Sequence, residues 1–190
     1  MKLLRKLITC INLILLLLPS LLFAKDTVIH NILISNSYTH LHIQLQLANC
    51  FNKKMEEATK TGIPITFKYY INLYQHRSLW NDKLLTATTL SKTIKYDNLK
   101  KEYTVTTKNS KKNSASSSVL PTLYEAKKIM INVKILSFYP MCKLERNRTY
   151  YFKIKAESKG VEPPRYIHYL LFFFKWMNFE TDWFVEKFKY

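Results

Sequence analysis

The stretch GIPITFKYYINLY, residues 62–74, alternates apolar and polar side chains at a period of two. Ile63, Ile65, Phe67, Tyr69, Ile71 and Leu73 fall on one side, and Thr66, Lys68, Tyr70, Asn72 and Tyr74 on the other. Successive side chains of a strand point to opposite faces, so this is a long strand with one face in a core and one in water. Gly62 suits the left-handed position just past a helix end. That helix runs to Lys60 with Asn49 as its cap, and turns Phe51, Met55 and Ala58/Thr59 inward. Further upstream, Leu41, Ile43, Leu45 and Leu47 alternate with His40, His42, Gln44 and Gln46, a second half-buried strand. The apolar run Thr27–Ile34 precedes it. A two-residue turn at Asn36-Ser37 pairs the two, with Val28 opposite Leu45, Ile32 opposite Leu41 and Ile34 opposite Thr39.

Downstream, Lys83–Leu90 and Ser91–Tyr96 read as a hairpin or as one bent strand. Tyr96–Leu99 reads as a turn and Glu102–Thr107 as a strand. The segment KNSKKNSASSS, residues 108–118, is polar and lacks apolar anchors, so it reads as an exposed, mobile loop. A helix follows from Pro121 to about Asn132, with Leu123, Ala126, Ile129 and Met130 on its apolar side. Lys134–Leu144 and Thr149–Glu157 are strands. The aromatic tail, Tyr166–Tyr190, holds a short apolar element at Tyr169–Trp176 and a closing strand. These elements predict a β-rich α+β fold: a single domain of mostly antiparallel strands with two main helices packed on the sheet or sheets.

The first 24 residues read as a secretory signal peptide. A basic start (Lys2, Arg5, Lys6) leads into the apolar run Leu7–Leu18, then Pro19-Ser20 and Ala24 before Lys25. The apolar run is short against the roughly 20 residues of a bilayer span. Cleavage after Ala24 leaves residues 25–190, enough for one domain with its own core. The alternative is an uncleaved N-terminal anchor. The expected location is the periplasm or cell envelope.

The chain carries 30 Lys and Arg against 13 Asp and Glu, a net charge of +17, or about +14 without the leader. Such a balance fits a polyanionic partner such as anionic lipid or an envelope polymer. The lysines are spread along the chain, however, and Lys, Asn, Ile, Tyr and Phe are all frequent, which also reads as compositional drift. Cys50 and Cys142 remain after the leader, either as a disulfide or as two free buried thiols. No Cys-x-x-Cys is present. With only Gly62 and Gly160, a glycine-rich phosphate loop is excluded. Serine-hydrolase, zinc-protease and nucleotide-hydrolase motifs are missing too. No catalytic residue and no cofactor is expected.

The remaining candidates have bland alternatives. His40 and His42 share a strand face and are weak metal-ligand candidates, but the expected register sets His30 opposite Ile43, on the other face. Arg77, Trp80 and Asp82 follow the decisive strand. They could hold an anionic group, or form a corner with Trp80 buried and Arg77 paired to Asp82. Tyr70 and Tyr74 beside Lys68 could be a basic-aromatic stripe or a solvated sheet face. Asp97 reads as a turn cap, with Tyr96 and Leu99 in the core. Trp176 belongs to an apolar tail that is either a partner patch or core.

Gly62–Tyr69, the Arg77-x-x-Trp80-x-Asp82 cluster and Tyr96-Asp97-x-Leu99-x-x-x-Tyr103-x-Val105 together resemble the bacterial domain of unknown function 4390 family. So do Leu123-x-Glu125-Ala126, Tyr150–Ala156, Trp176 and Trp183. The 108–118 segment and Pro163–Tyr166 depart from that pattern. The resemblance implies an exported envelope protein of a Gram-negative bacterium with no established activity, encoded near membrane histidine kinases. The expected function is a non-enzymatic interaction domain. Its partner would be an envelope component or the outer part of a membrane sensor kinase. The alternatives are polyanion or peripheral membrane-surface binding, and an unrecognised enzyme; nucleic acid is not an expected partner.

Overall fold

The computed structural model describes residues 27–160 and 178–190. Its elements are β1 (Val28–Asn36), β2 (His40–Ala48), α1 (Lys53–Lys60), β3 (Ile65–Gln75), β4 (Lys83–Asp97), β5 (Glu102–Asn109), β6 (Ser114–Leu120), α2 (Leu123–Ile131), β7 (Asn132–Pro140), β8 (Thr149–Gly160), β9 (Phe179–Glu180) and β10 (Phe184–Lys189). A small sheet has the order β1-β2-β7. A large sheet has the order β10-β8-β3-β4-β5-β6, with β9 also on β8. All pairings are antiparallel.

The decisive strand becomes β3 and lies near the middle of the large sheet. Its burial alternates without a break from Ile65 to Gln75, because β4 and β8 pair it along its whole length. The inner face presents Ile65, Phe67, Tyr69, Ile71 and Leu73, together with Phe152, Ile154 and Ala156 of β8. Leu41, Ile43, Leu45 and Leu47 of β2 join the same core from the small sheet. Phe138 of β7 meets Phe152 of β8 edge-on at 5.2 Å, which ties the two sheets directly.

Both helices pack on this core. Met55 and Thr59 of α1 are buried, and so are Ala126 and Met130 of α2. Asn52 caps α1, its side chain accepting from the Met55 amide at 2.8 Å. Asn49, the expected cap, instead has a positive φ of 57° and lies before the helix. Gly62 does follow the helix with φ 87°, and its missing Cβ would come within 3.0 Å of Asn98. Replacing Asn52 with Ala should cost about 1 kcal/mol, read as a lower denaturant midpoint at unchanged slope.

The two strand candidates at 83–96 are one continuous strand, β4, with a single irregularity opposite Leu73/Tyr74. The segment expected to be a loop is a correction. Residues 108–118 end β5, turn and begin β6, which pairs with β5 from Tyr103↔Leu120 to Asn109↔Ser114. Asn109 Oδ1 accepts from the amides of Lys111 and Lys112 and stiffens the turn. Thr106 and Ser117 bond across the strands at 3.0 Å. Hydroxyl-bearing side chains satisfied by a neighbour need no apolar anchor, so an exposed edge strand can look like a linker.

The β1–β2 register also differs from expectation. The turn falls at residues 37–39, further along than Asn36-Ser37, and a bulge at Asn31, with φ 52°, shifts the pairing. The observed partners are Ile29↔Leu47, His30↔Gln46 and Ile34↔Ile43. An extra residue in one strand reverses the alternation beyond it. The bulge thus lets Ile29 and Ile34, five positions apart, both face the core. The aromatic tail ends in the expected strand, β10. Trp176, the Tyr169–Trp176 element, Pro163–Tyr166 and the 1–24 leader lie outside the described residues.

Candidate functional site

The outer face of the large sheet is the site that the strand registers assemble. Tyr70 of β3 lies opposite Lys155 of β8, and Lys153 is next along β8 on the same face. Lys153 and Val185 are paired, as are Tyr151 and Lys187, so β10 adds Lys187. Lys68 of β3 lies opposite Ser91 of β4, which lies opposite Lys108 of β5. Lys95 of β4 is on the same face as Ser91. Six lysines from five strands therefore share one surface. At about 4.8 Å per strand, the span from β10 to β5 is about 19 Å.

Aromatic rings lie among these cations. Tyr74 stacks on Tyr151 at 5.1 Å, with the planes 10° apart. The Lys153 and Lys155 ammonium groups stand 5.1 Å and 5.6 Å from the Trp183 ring centre. Tyr70 donates to Glu157 Oε1 at 2.8 Å, an acceptor bond that raises the phenol pKa. Lys155 pairs with Glu180. Tyr70, Tyr74 and Lys68 thus share the outer face with lysines of β4, β5, β8 and β10 that are remote from them in sequence.

One end of the face is the β3–β4 hairpin tip, residues 76–82. Asp82 braces it. Its Oδ1 accepts from the Arg77 amide at 2.9 Å and pairs with His76 Nδ1 at 3.0 Å; its Oδ2 accepts from Tyr151 at 2.8 Å. The Arg77 amide, and then the Tyr151 hydroxyl, hold the carboxyl below its usual range. Burial, followed by the bond to Asp82, pushes the Tyr151 phenol up to about 12. This corrects the expected corner. Asp82 takes the Arg77 backbone amide, and Trp80 is 78% exposed, not buried. Leu79 is 90% exposed. His76 escaped the sequence reading, although it and Asp82 directly follow the last β3–β4 pair, Gln75↔Lys83.

Other candidates take structural roles. His42 Nδ1 accepts from the Ser137 amide at 3.0 Å and supports the β7 bulge, where Ser137 has φ 58°. His40 Nδ1 lies 3.0 Å from Thr39 Oγ1. The bulge in β1 puts His30 on the same face as both, another correction. Gln46, its partner, is four residues from His42, about 13 Å along the strand. Among the described residues, no group of three His, Cys, Asp or Glu could hold a metal ion. Asp97 caps its turn as expected, accepting from the Leu99 and Lys100 amides, but Leu99 is exposed.

Of the two cysteine readings, the disulfide is not formed and the pair of buried thiols holds for Cys50 alone. Cys50 and Cys142 are free, the first buried and the second exposed. Cys50 follows the end of β2. Cys142 follows Pro140, which pairs with the first residue of β2. Nine residues of strand separate them, about 30 Å. Burial pushes the Cys50 thiol up to about 11, which makes it a poor nucleophile at neutral pH.

Fold and surface together define a two-sheet antiparallel β domain with one shared core and one basic, aromatic outer face. The chain belongs to the family described as Domain of unknown function (DUF4390), whose model matches residues 24–187. No curated protein and no solved structure matches it. Among the described residues, no helix is long and apolar enough to cross a membrane.

Proposed function

We propose that this chain is an exported, non-enzymatic binding domain of the cell envelope whose outer sheet face takes a polyanion. The observation that supports this reading is the register that gathers Lys68, Lys95, Lys108, Lys153, Lys155 and Lys187 onto one surface. Spaced lysines among exposed tyrosines suit a chain of phosphates or carboxylates, since the charges attract and the rings pack on the polymer. Export rests on the N-terminal leader pattern.

Binding of medium-chain polyphosphate to the leaderless protein tests the reading. If four lysines engage, affinity should fall about 100-fold between roughly 50 and 200 mM salt. The triple variant K68Q/K95Q/K108Q should bind at least about 10-fold more weakly at low salt and show a shallower salt slope. Salt-independent binding, or an unchanged affinity in the triple variant, would refute the proposal.

A protein partner, such as the outer part of a membrane sensor kinase, is the second reading. It draws on β6, whose residues Ser114–Val119 are all exposed at the edge of the large sheet. That edge carries no Lys or Pro within the strand to block an added strand.

A further inference from the structure

The β3–β4 hairpin tip combines two features that ordinary solvated turns lack. Leu79 and Trp80 keep 90% and 78% of their surface in water. They are not on a slack loop, because the Asp82 carboxylate holds the tip from three donors: the His76 ring, the Arg77 amide and the Tyr151 hydroxyl. The Asp82 bonds hold both ends of the turn that carries the two exposed apolar side chains. Leu79 and Trp80 are adjacent in sequence, so their exposed apolar surface is concentrated at one projecting point.

Cations lie at the same end of the domain. Arg77 belongs to the tip, and Lys83 pairs with Gln75 at its base. Arg148 lines the same cleft as Leu79 and Trp80, about 460 Å³ in volume. The His76 amide donates to Thr149 O, which brings the start of β8 against the tip. Lys189 pairs with Thr149 and Lys187 with Tyr151, so the end of β10 arrives at the same place. Arg77 and Arg148 therefore share a cleft with the exposed Leu-Trp pair, and Lys83, Lys187 and Lys189 lie toward the same end of the sheet. Of the nearby carboxylates, Asp82 is taken up as described, Glu145 holds Arg148 and Gln75, and Glu186 stands exposed beside Lys187 on β10.

We infer that this tip is a membrane-surface wedge. Leu79 and Trp80 enter the headgroup boundary of an anionic bilayer, and Arg77 and Arg148 beside them, with the lysines at this end of the sheet, meet its phosphates. These cations select an anionic surface. Tryptophan favours the interface, because its ring is apolar and its N–H can stay hydrated. This deepens the polyanion reading and rests on it: the polyanion is a lipid surface, and the tip sets how the domain sits on it.

Two ligands separate the failure of the wedge from failure of the wider reading. The leaderless protein is titrated with phosphatidylglycerol/phosphatidylcholine vesicles, with pure phosphatidylcholine vesicles, and with polyphosphate. The W176F/W183F background leaves Trp80 as the fluorescent reporter. Binding to the anionic vesicles, a blue shift of Trp80 and its quenching by brominated lipid are expected. L79A/W80A should bind these vesicles at least about 10-fold more weakly and bind polyphosphate as the parent does. W80F should fall between the two, and matching thermal melts of all three proteins check that the fold survives. Vesicle binding that is indifferent to L79A/W80A, or polyphosphate binding without vesicle binding, would overturn the wedge and leave the polyanion reading intact. Tip-dependent vesicle binding with no polyphosphate binding would keep the wedge and overturn only the reading of the outer face as a polymer site.

Discussion

Phe67→Ala should lower stability by about 3–5 kcal/mol, while Lys68→Ala, one residue on, should change it by less than about 0.5 kcal/mol. Phe67 is fully buried. Its ring meets Phe51 at 5.0 Å and Phe179 edge-on at 4.9 Å. Phe51 precedes α1 and Phe179 starts β9, so three separate parts of the chain converge on one ring. Truncation removes its apolar surface and leaves a cavity that two rings anchored on different elements cannot easily fill. Lys68 points to the outer face, where water replaces its contacts. Denaturant melts of the two variants measure the contrast, and Phe67→Ala should also lower the melting temperature by roughly 10 °C. Equal effects at the two positions would mean that β3 does not separate a core from a solvated face.

The second large effect concerns Lys92. The β4 alternation sets it between Leu90 and Ile94 on the inner face, 6% exposed. Its ammonium donates to Ile129 O at 2.7 Å and to Asn132 O. Lys92 therefore caps the C-terminal end of α2, where carbonyls lack helical partners and the helix dipole favours a cation. Tyr69 reaches the same end, donating to Met130 O at 2.5 Å. Burial nevertheless lowers the Lys92 pKa from 10.5 to about 8.

Between pH 8 and 10.5 the unfolded chain therefore keeps a proton that the folded chain has released, so this group makes stability rise with pH. Below pH 8 both states hold the proton, and the burial penalty stays constant at about 3 kcal/mol. The stability of the parent minus that of Lys92→Met should be flat below pH 8 and climb by about 3 kcal/mol by pH 10.5. Cys50 works in the opposite direction above its ordinary value of 9, because its unfolded thiol ionises first. It does so in both proteins and cancels in the difference. Urea melts at a series of pH values test this; a difference independent of pH would mean that the Lys92 amine is hydrated in the folded protein.

The outer face was only partly legible in the sequence. Tyr70, Tyr74 and Lys68 could be read as one side of β3, since a period of two needs no partner strand. Lys153, Lys155 and Lys187 could not be added, because nothing local says that β8 and β10 lie beside β3 on the same side. The lysines looked dispersed because they are dispersed along the chain, and strand pairing brings them together. At the hairpin tip, the motif residues were visible but their roles were not. Whether Trp80 is buried depends on what lies over it, and how Asp82 is used depends on Tyr151, 69 residues away.

The sequence by itself determined the class of the protein. Period-two alternation identified β2, β3 and β8, amphipathic spacing identified both helices, and Gly62 marked where α1 stops. These are local signals, carried by side chains a few residues apart. Only the tertiary structure decided the rest: the bulges at Asn31 and Ser137, the conversion of residues 108–118 into a hairpin, the separation of Cys50 from Cys142, and the gathering of lysines onto one face. Each depends on which strand lies beside which and in what register, and that is set by the whole core closing at once, not by any segment's own pattern.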